Sequence, residues 1–286
     1  MEIIKSSVLG FCFGVKNAVE QTEKALSENN GKNVYSLGPL IHNENFLSEM
    51  KKKGLIIADD DKIEEIPNGA VVIIRAHGVE PKIINRLEEK KCRIINSTCP
   101  RVKASQKMVK VYSSKNEKIV FTGDKNHEEV ISIAAYSKNN FYQIQNYDEA
   151  VEFLKNISMD EKIILMSQTT FSPEEFSKIK EKFINHFKNL EIKNTICPAT
   201  EERQKALIEL CKKVDGVLVI GGSSSANTKR LYQTALENCK NAAYIQSPSD
   251  IPKEFFLLEK VGITAGASTP DKIIRLVEKT LQNMIY

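Results

Sequence analysis

Asn96-Ser97-Thr98-Cys99-Pro100 closes a run, Arg93-Ile94-Ile95, that reads as a strand, and Asn194-Thr195-Ile196-Cys197-Pro198 closes another at Leu190 to Lys193. In both, Asn stands three residues before the cysteine and Pro directly after it. Gln-Lys follows seven and eight residues on (Gln106-Lys107 and Gln204-Lys205), inside a segment of helical pattern. Proline suits the first position of a helix, where no N–H is needed. The two cysteines are 98 residues apart, and a third, in Gly10-Phe11-Cys12-Phe13-Gly14, lies 87 residues before Cys99. Three cysteines at near-equal spacing, each between a strand-like and a helix-like stretch, point to one unit repeated three times about a common centre. The expected division is 14–96, 97–194 and 195–286, the last joined by residues 1–13.

Outward from these junctions, β-rich and helical stretches alternate. Val34 to Leu37, Ala70 to Arg75, Lys118 to Thr122, Lys162 to Met166, Gly216 to Ile220 and Val261 to Thr264 read as buried strands. Val15 to Leu26, Pro81 to Lys90, Val102 to Tyr112, Pro173 to Phe187, Glu201 to Lys213 and Pro270 to Met284 read as amphipathic helices. That alternation predicts an α/β fold with largely parallel sheets. Ser172-Pro173-Glu174-Glu175 has the order of a capping box, and Thr269-Pro270-Asp271 repeats the cap-then-proline order.

Composition narrows the function classes. The net charge is only +4 over 286 residues, with Lys spread along the chain and few aromatics between, so no nucleic-acid surface is expected. No apolar run approaches the roughly 20 residues of a membrane span, and Met1-Glu2-Ile3-Ile4-Lys5 does not begin a signal peptide. A cytoplasmic protein with no membrane partner is the expectation. In a reducing compartment six cysteines are not expected to form disulfides, and no close Cys-x-x-Cys pair suggests a zinc ribbon.

Three of the four histidines, His42, His77 and His127, fall just past expected strand ends, the ligand-binding edge of parallel α/β sheets. His186 reads as mid-helix and receives no role. Strand ends also carry small hydroxyls and amides: Ser167-Gln168-Thr169-Thr170, Gly221-Gly222-Ser223-Ser224-Ser225-Ala226-Asn227 and Ala265-Gly266-Ala267-Ser268. Such groups beside new helix N-termini suit phosphate. Together with the histidines they favour a pocket for a small phosphorylated molecule. Cys12, Cys99 and Cys197 can hold zinc or an iron–sulfur cluster; Cys92, Cys211 and Cys239 lack the strand-to-helix setting and read as ordinary thiols.

The whole chain resembles the 4-hydroxy-3-methylbut-2-enyl diphosphate reductase family of the non-mevalonate isoprenoid route. The resemblance rests on Gly10-Phe11-Cys12-x-Gly14-Val15, His42-Asn43, Ala76-His77-Gly78-Val79, Thr98-Cys99-Pro100, His127-x-Glu129-Val130, Gln168-Thr169-Thr170, Ile196-Cys197-x-Ala199-Thr200, Ser225-x-Asn227 and Thr264 to Ser268. It implies a cloverleaf of three α/β units around a [4Fe-4S] cluster, held by Cys12, Cys99 and Cys197 with one iron lacking a protein ligand. It also implies His42, His77, His127, Thr169, Ser225, Asn227 and Ser268 as substrate-binding residues. Glu129, with Thr169 and His127, would deliver protons, and an external donor, a ferredoxin or flavodoxin, would supply electrons. Ala226 departs from the serine found there in many members. Of the adjacent pair Glu128 and Glu129, alternation along an extended loop would turn only one toward the site. Two rival readings are a cluster-dependent hydro-lyase, which would want arginines such as Arg75 for a carboxylate, and a non-catalytic iron–sulfur or phosphometabolite sensor.

Overall fold

The computed structural model describes residues 1–30 and 33–283. In chain order the elements are β1 (Glu2–Lys5), α1 (Phe13–Glu28), β2 (Val34–Leu37), α2 (Glu44–Lys52), β3 (Leu55–Ala58), β4 (Val71–Ile74), α3 (Pro81–Glu89), β5 (Arg93–Asn96) and α4 (Pro100–Ser114). There follow β6 (Lys118–Thr122), α5 (Glu128–Ala134), β7 (Phe141–Ile144), α6 (Tyr147–Lys155), β8 (Lys162–Ser167), α7 (Pro173–Ile184), β9 (Asn189–Ile192) and α8 (Pro198–Cys211). The chain closes with β10 (Gly216–Ile220), α9 (Ala226–Asn238), β11 (Ala242–Ile245), β12 (Lys260–Ala265) and α10 (Asp271–Asn283). The expected end of the last helix, Met284, lies outside the described residues.

The strands form three four-stranded sheets, all parallel, in the orders β3-β2-β4-β5, β7-β6-β8-β9 and β11-β10-β12-β1. The α/β expectation therefore holds. The orders are equivalent once β1 is placed after β12, so the N-terminal strand supplies the edge that the last repeat lacks. Two compact units divide the chain. One comprises Met1–Asn17, Pro39–Lys53 and Pro198–Tyr286 and carries the sheet with β1; the other comprises Ala18–Gly38 and Gly54–Cys197 and carries the remaining two sheets.

Burial explains which strands were legible. In β4 and β10 every residue is buried, and in β8 and β12 all but the first, as parallel strands covered on both faces should be. The edge strands β1, β5 and β9 contain no buried residue. Apolar clusters line both faces of the central strands: Leu165 packs with Phe171, Phe176 and Phe183 on one side of β8, while Ile164 and Met166 join Val109 and Phe121 on the other. Among the described residues no helix is long and apolar enough to cross a membrane.

In each sheet the chain passes from one inner strand outward to one side, then returns to the other inner strand. The switch point lies between β2 and β4, between β6 and β8, and between β10 and β12, and ligands of open parallel sheets bind outside such points. The loops leaving these six strands carry His42, His77, His127, Thr169, Ser225 and Ser268, and the first turns of α5 and α9 add Glu129 and Asn227.

Two details of helix ends differ from expectation. Ser172 caps α7 by accepting from the Glu175 N–H at 3.3 Å, but Glu175 turns away to accept from the Tyr147 N–H at 2.7 Å, so the box is not reciprocal. His186 is not mid-helix: α7 stops at Ile184, and the imidazole meets the Phe187 ring edge-on at 4.7 Å.

Candidate active site

The three cysteine junctions share one backbone pattern. The Cys12 N–H donates to Ala267 O (3.2 Å), the Cys99 N–H to Ala76 O (2.9 Å) and the Cys197 N–H to Thr169 O (2.8 Å). Each acceptor lies two residues beyond the neighbouring inner strand, β12, β4 or β8. Asn96 Oδ1 accepts from the Thr98 N–H (3.1 Å) and Asn194 Oδ1 from the Ile196 N–H (3.2 Å), turns that explain the asparagine three residues before each of these cysteines. A helix begins at the next residue in every case: α1, α4 and α8. All three sulfurs thus sit at the positive end of a helix dipole, which favours the negative charge of a metal-bound thiolate. All three residues are partly exposed, and none is in a disulfide. Each of the three is thus suited to act as a thiolate ligand. Cys211, by contrast, is buried, and burial, reinforced by the nearby Cys239, pushes its thiol up to about 12, which makes it an inert packing residue.

Within the second unit a connected set of polar groups runs between Cys99 and Cys197. Glu129 is only 2% exposed. Its Oε1 accepts from the Thr169 N–H and its Oε2 from the Thr169 hydroxyl, both at 2.7 Å. Thr169 also accepts from the Cys197 N–H through its carbonyl, so one residue binds the carboxyl and fixes the cysteine loop. His127 caps α5: its Nδ1 accepts from the Glu129 N–H at 3.1 Å. That bond makes Nδ1 the acceptor and leaves the ring proton of the neutral imidazole on Nε2, as a donor. The His77 and His127 rings meet edge-on at 5.2 Å, and Ser132 Oγ lies 2.7 Å from His77 O and 3.0 Å from Glu129 O. Both glutamates belong to the first turn of α5 rather than to an extended loop, so the expected alternation fails. Glu128 is turned toward His77 instead, its Oε2 3.7 Å from Nδ1.

The first unit brings together its own share: Cys12, His42, Ser225, Asn227 and Ser268. Gly222 lets the His42 backbone approach, while Gly221 and Gly266 make room for the Thr228 side chain. A Cβ at Gly222 would lie 1.9 Å from His42 O, and one at Gly266 would lie 2.0 Å from Thr228 Oγ1. Ser224 Oγ is 3.5 Å from His42 Nδ1, and Ser225 Oγ caps α9 by accepting from the Thr228 N–H (3.3 Å). Asn227 is 8% exposed, yet its Nδ2 has no hydrogen-bond partner among the described residues. A buried amide donor left in that condition is costly unless a ligand accepts from it.

A family model described as LytB protein matches residues 3–282. The chain belongs to the LytB family. Among curated relatives, the 4-hydroxy-3-methylbut-2-enyl diphosphate reductase of Treponema denticola is 42% identical over 98% of this chain and 99% of its own length. That of Aquifex aeolicus is 36% identical over 99% and 97%. A solved reductase described as the terminal enzyme of the non-mevalonate pathway superposes with TM-score 0.74 at 36% identity, covering 99% of this chain and 100% of that one. The reductase of Plasmodium falciparum gives TM-score 0.89 at 29% identity over 99% and 87%. LytB-family enzymes are iron–sulfur proteins.

Some residues of this LytB-family site escaped the sequence reading. Thr228 lies against Gly221 and Gly266 and donates to Ser225 Oγ at 2.9 Å. Ser132 bridges the His77 loop and α5, and Arg203, 2% exposed, donates to Ala265 O at 2.8 Å. These are isolated polar residues inside helices, where nothing in the spacing marks them out. Arg75, which a carboxylate-binding hydro-lyase would need, is buried and committed to Asp60 through two 3.0 Å bonds and to the Leu37 carbonyl.

Proposed function

We propose that this chain reductively removes the allylic hydroxyl of 4-hydroxy-3-methylbut-2-enyl diphosphate. The products are isopentenyl and dimethylallyl diphosphate. The observation that carries this reading is the double clamp of Thr169 on the buried Glu129, joined through the Thr169 carbonyl to Cys197. A sensor has no use for a buried carboxyl–hydroxyl pair tied to a metal ligand.

The reaction consumes two electrons and two protons and releases water. Cys12, Cys99 and Cys197 would hold a [4Fe-4S] group, which would supply electrons one at a time and Lewis acidity for the departing oxygen. The threefold cradle of those cysteines supports this ligand set, as it supports the division of the chain into three repeats near residues 96 and 194. The protein's own residues do the rest. His42, His77, His127, Ser225, Asn227 and Ser268 hold the diphosphate, the imidazole of His127 donating through Nε2 and the amide of Asn227 through its buried Nδ2. Thr169 stands between Glu129 and the substrate hydroxyl. With the carboxyl protonated, the Thr169 oxygen accepts that proton while passing its own to the leaving group, so hydroxide departs as water. Ala226 brings no hydroxyl, so only its backbone N–H, at the start of α9, can serve the phosphate there. Electrons come from an external ferredoxin or flavodoxin.

The test is anaerobic turnover of the allylic diphosphate with a reduced viologen dye, followed by product analysis. Formation of the two five-carbon diphosphates is the expected result. Dehydration without net reduction would favour the hydro-lyase reading, and absence of any turnover by iron-loaded protein the sensor.

A further inference from the structure

The helix that follows Cys99, α4, differs from every other among the described residues. Over residues 100–115, α4 and its C-cap carry Arg101, Lys103, Lys107, Lys110 and Lys115 and no acidic residue, in a chain of net charge +4. Without these five the chain would be net negative. Each of the other nine α-helices among the described residues contains at least one Asp or Glu. Lysines elsewhere are commonly paired, as Lys118 with Glu161 at 2.5 Å and Lys162 with Glu117 at 2.7 Å. Lys107 and Lys110 are exposed and make no ion pair among the described residues, and Lys103 reaches only the Asn96 carbonyl, at 3.2 Å.

Spacing places Lys103, Lys107 and Lys110 on one face, since i, i+4 and i+7 fall within about 60° on a helix of 3.6 residues per turn. They line a groove of about 290 Å³ together with Val79, Ile84, Thr98 and Tyr136. Thr98 is the residue before Cys99. A cationic ridge beside apolar side chains therefore ends next to a cysteine assigned to the cluster.

We propose that this face of α4 is the docking surface for an acidic one-electron carrier protein. The inference rests on the reductase reading, which requires electrons to arrive one at a time from outside. Self-repulsion along α4 is unfavourable to the helix by itself, since no acidic neighbour relieves it at i±3 or i±4. An acidic partner relieves it on arrival. Complementary charge also raises the encounter rate and orients the carrier, so that its redox group meets the end of the helix nearest the cluster ligand.

The experiment compares the iron-loaded wild type with K107E/K110E and with K178E/K182E, a control that makes the same charge change on the exposed face of α7. Reduced flavodoxin, an acidic flavoprotein, is the carrier probe, and its Kd and KM are measured alongside turnover driven by a reduced viologen dye. K107E/K110E should raise flavodoxin Kd and KM at least about tenfold and flatten their dependence on salt, with dye-driven turnover unchanged. K178E/K182E should change them less than about twofold. Unchanged flavodoxin affinity in K107E/K110E, an equal loss in the control, or failure of flavodoxin to bind the wild type overturns the assignment. Loss of dye-driven turnover in the wild type would sink the reductase reading instead, while the flavodoxin binding measurements still decide the docking surface.

Discussion

At the scale of single residues, two neighbouring glutamates have separate surroundings. Glu129 receives two hydrogen bonds from Thr169 inside the protein, whereas the Glu128 carboxylate faces the His77 ring at 3.7 Å. Glu129→Gln keeps shape and one acceptor but has no transferable proton. It should bind substrate with an intact cluster yet turn over at least about a hundredfold more slowly, the low end for a lost general acid. Normal turnover in that variant would remove Glu129 as the proton source. Glu128→Gln should leave kcat near wild type and raise KM, because its carboxylate adjoins the His77 ring, which the reductase reading assigns to the diphosphate. A partly exposed pair of this kind contributes about 0.2–1 kcal/mol, so the change in KM should stay within roughly fivefold. Asn227→Ala deletes a buried donor that has no partner among the described residues. Substrate binding should weaken by about 1–3 kcal/mol with iron content unchanged; an unaltered dissociation constant would place the diphosphate elsewhere.

At the scale of elements, the sequence disclosed what burial enforces. The inner strands β4, β6, β8, β10 and β12 are apolar runs because both faces are covered, and they fall within two residues of their expected bounds. The edge strands β3, β7 and β11 are four residues long and only partly buried, so they gave no comparable signal. The short helix α5 was hidden for a similar reason: seven residues are too few to establish a 3.6-residue period. That omission is why Glu128 was expected to point away from the site. The cysteine junctions were legible because Asn, Cys and Pro each answer a separate backbone need, and those needs recur. The strand-end glycines carry a similar meaning. Gly222→Ala would drive a methyl into the His42 carbonyl, 1.9 Å away, and neither backbone can yield cheaply. Denaturant melts should show a loss of about 1–3 kcal/mol, together with weaker substrate binding because the His42 loop must shift. Wild-type stability in that variant would mean that the loop is far more yielding than its packing suggests.

At the scale of the whole molecule, the cysteines assigned to the cluster follow the edge strands β1, β5 and β9 of three different sheets, separated by 87 and 98 residues along the chain. Each sits in the same cradle, made by the loop of a neighbouring inner strand, so its position depends on its sheet being formed. An unfolded chain offers no such arrangement, and a group bound only by the folded form stabilises it by mass action. Occupancy at about a hundred times the dissociation constant contributes about 2.7 kcal/mol. For chains of this size or somewhat smaller, each kcal/mol moves the midpoint by about 2–4 °C. Stripping iron and sulfide anaerobically should therefore lower Tm by about 5–10 °C. Cys12→Ser, Cys99→Ser and Cys197→Ser should each start near the stripped value and respond little to further chelation. Cys92→Ser and Cys239→Ser should keep the iron and the full chelator-induced shift, since neither lies at a strand-to-helix junction. Equal Tm for loaded and stripped wild type would show that the cradles are set without the cluster. A full chelator-induced shift in Cys197→Ser would instead remove Cys197 from the ligand set.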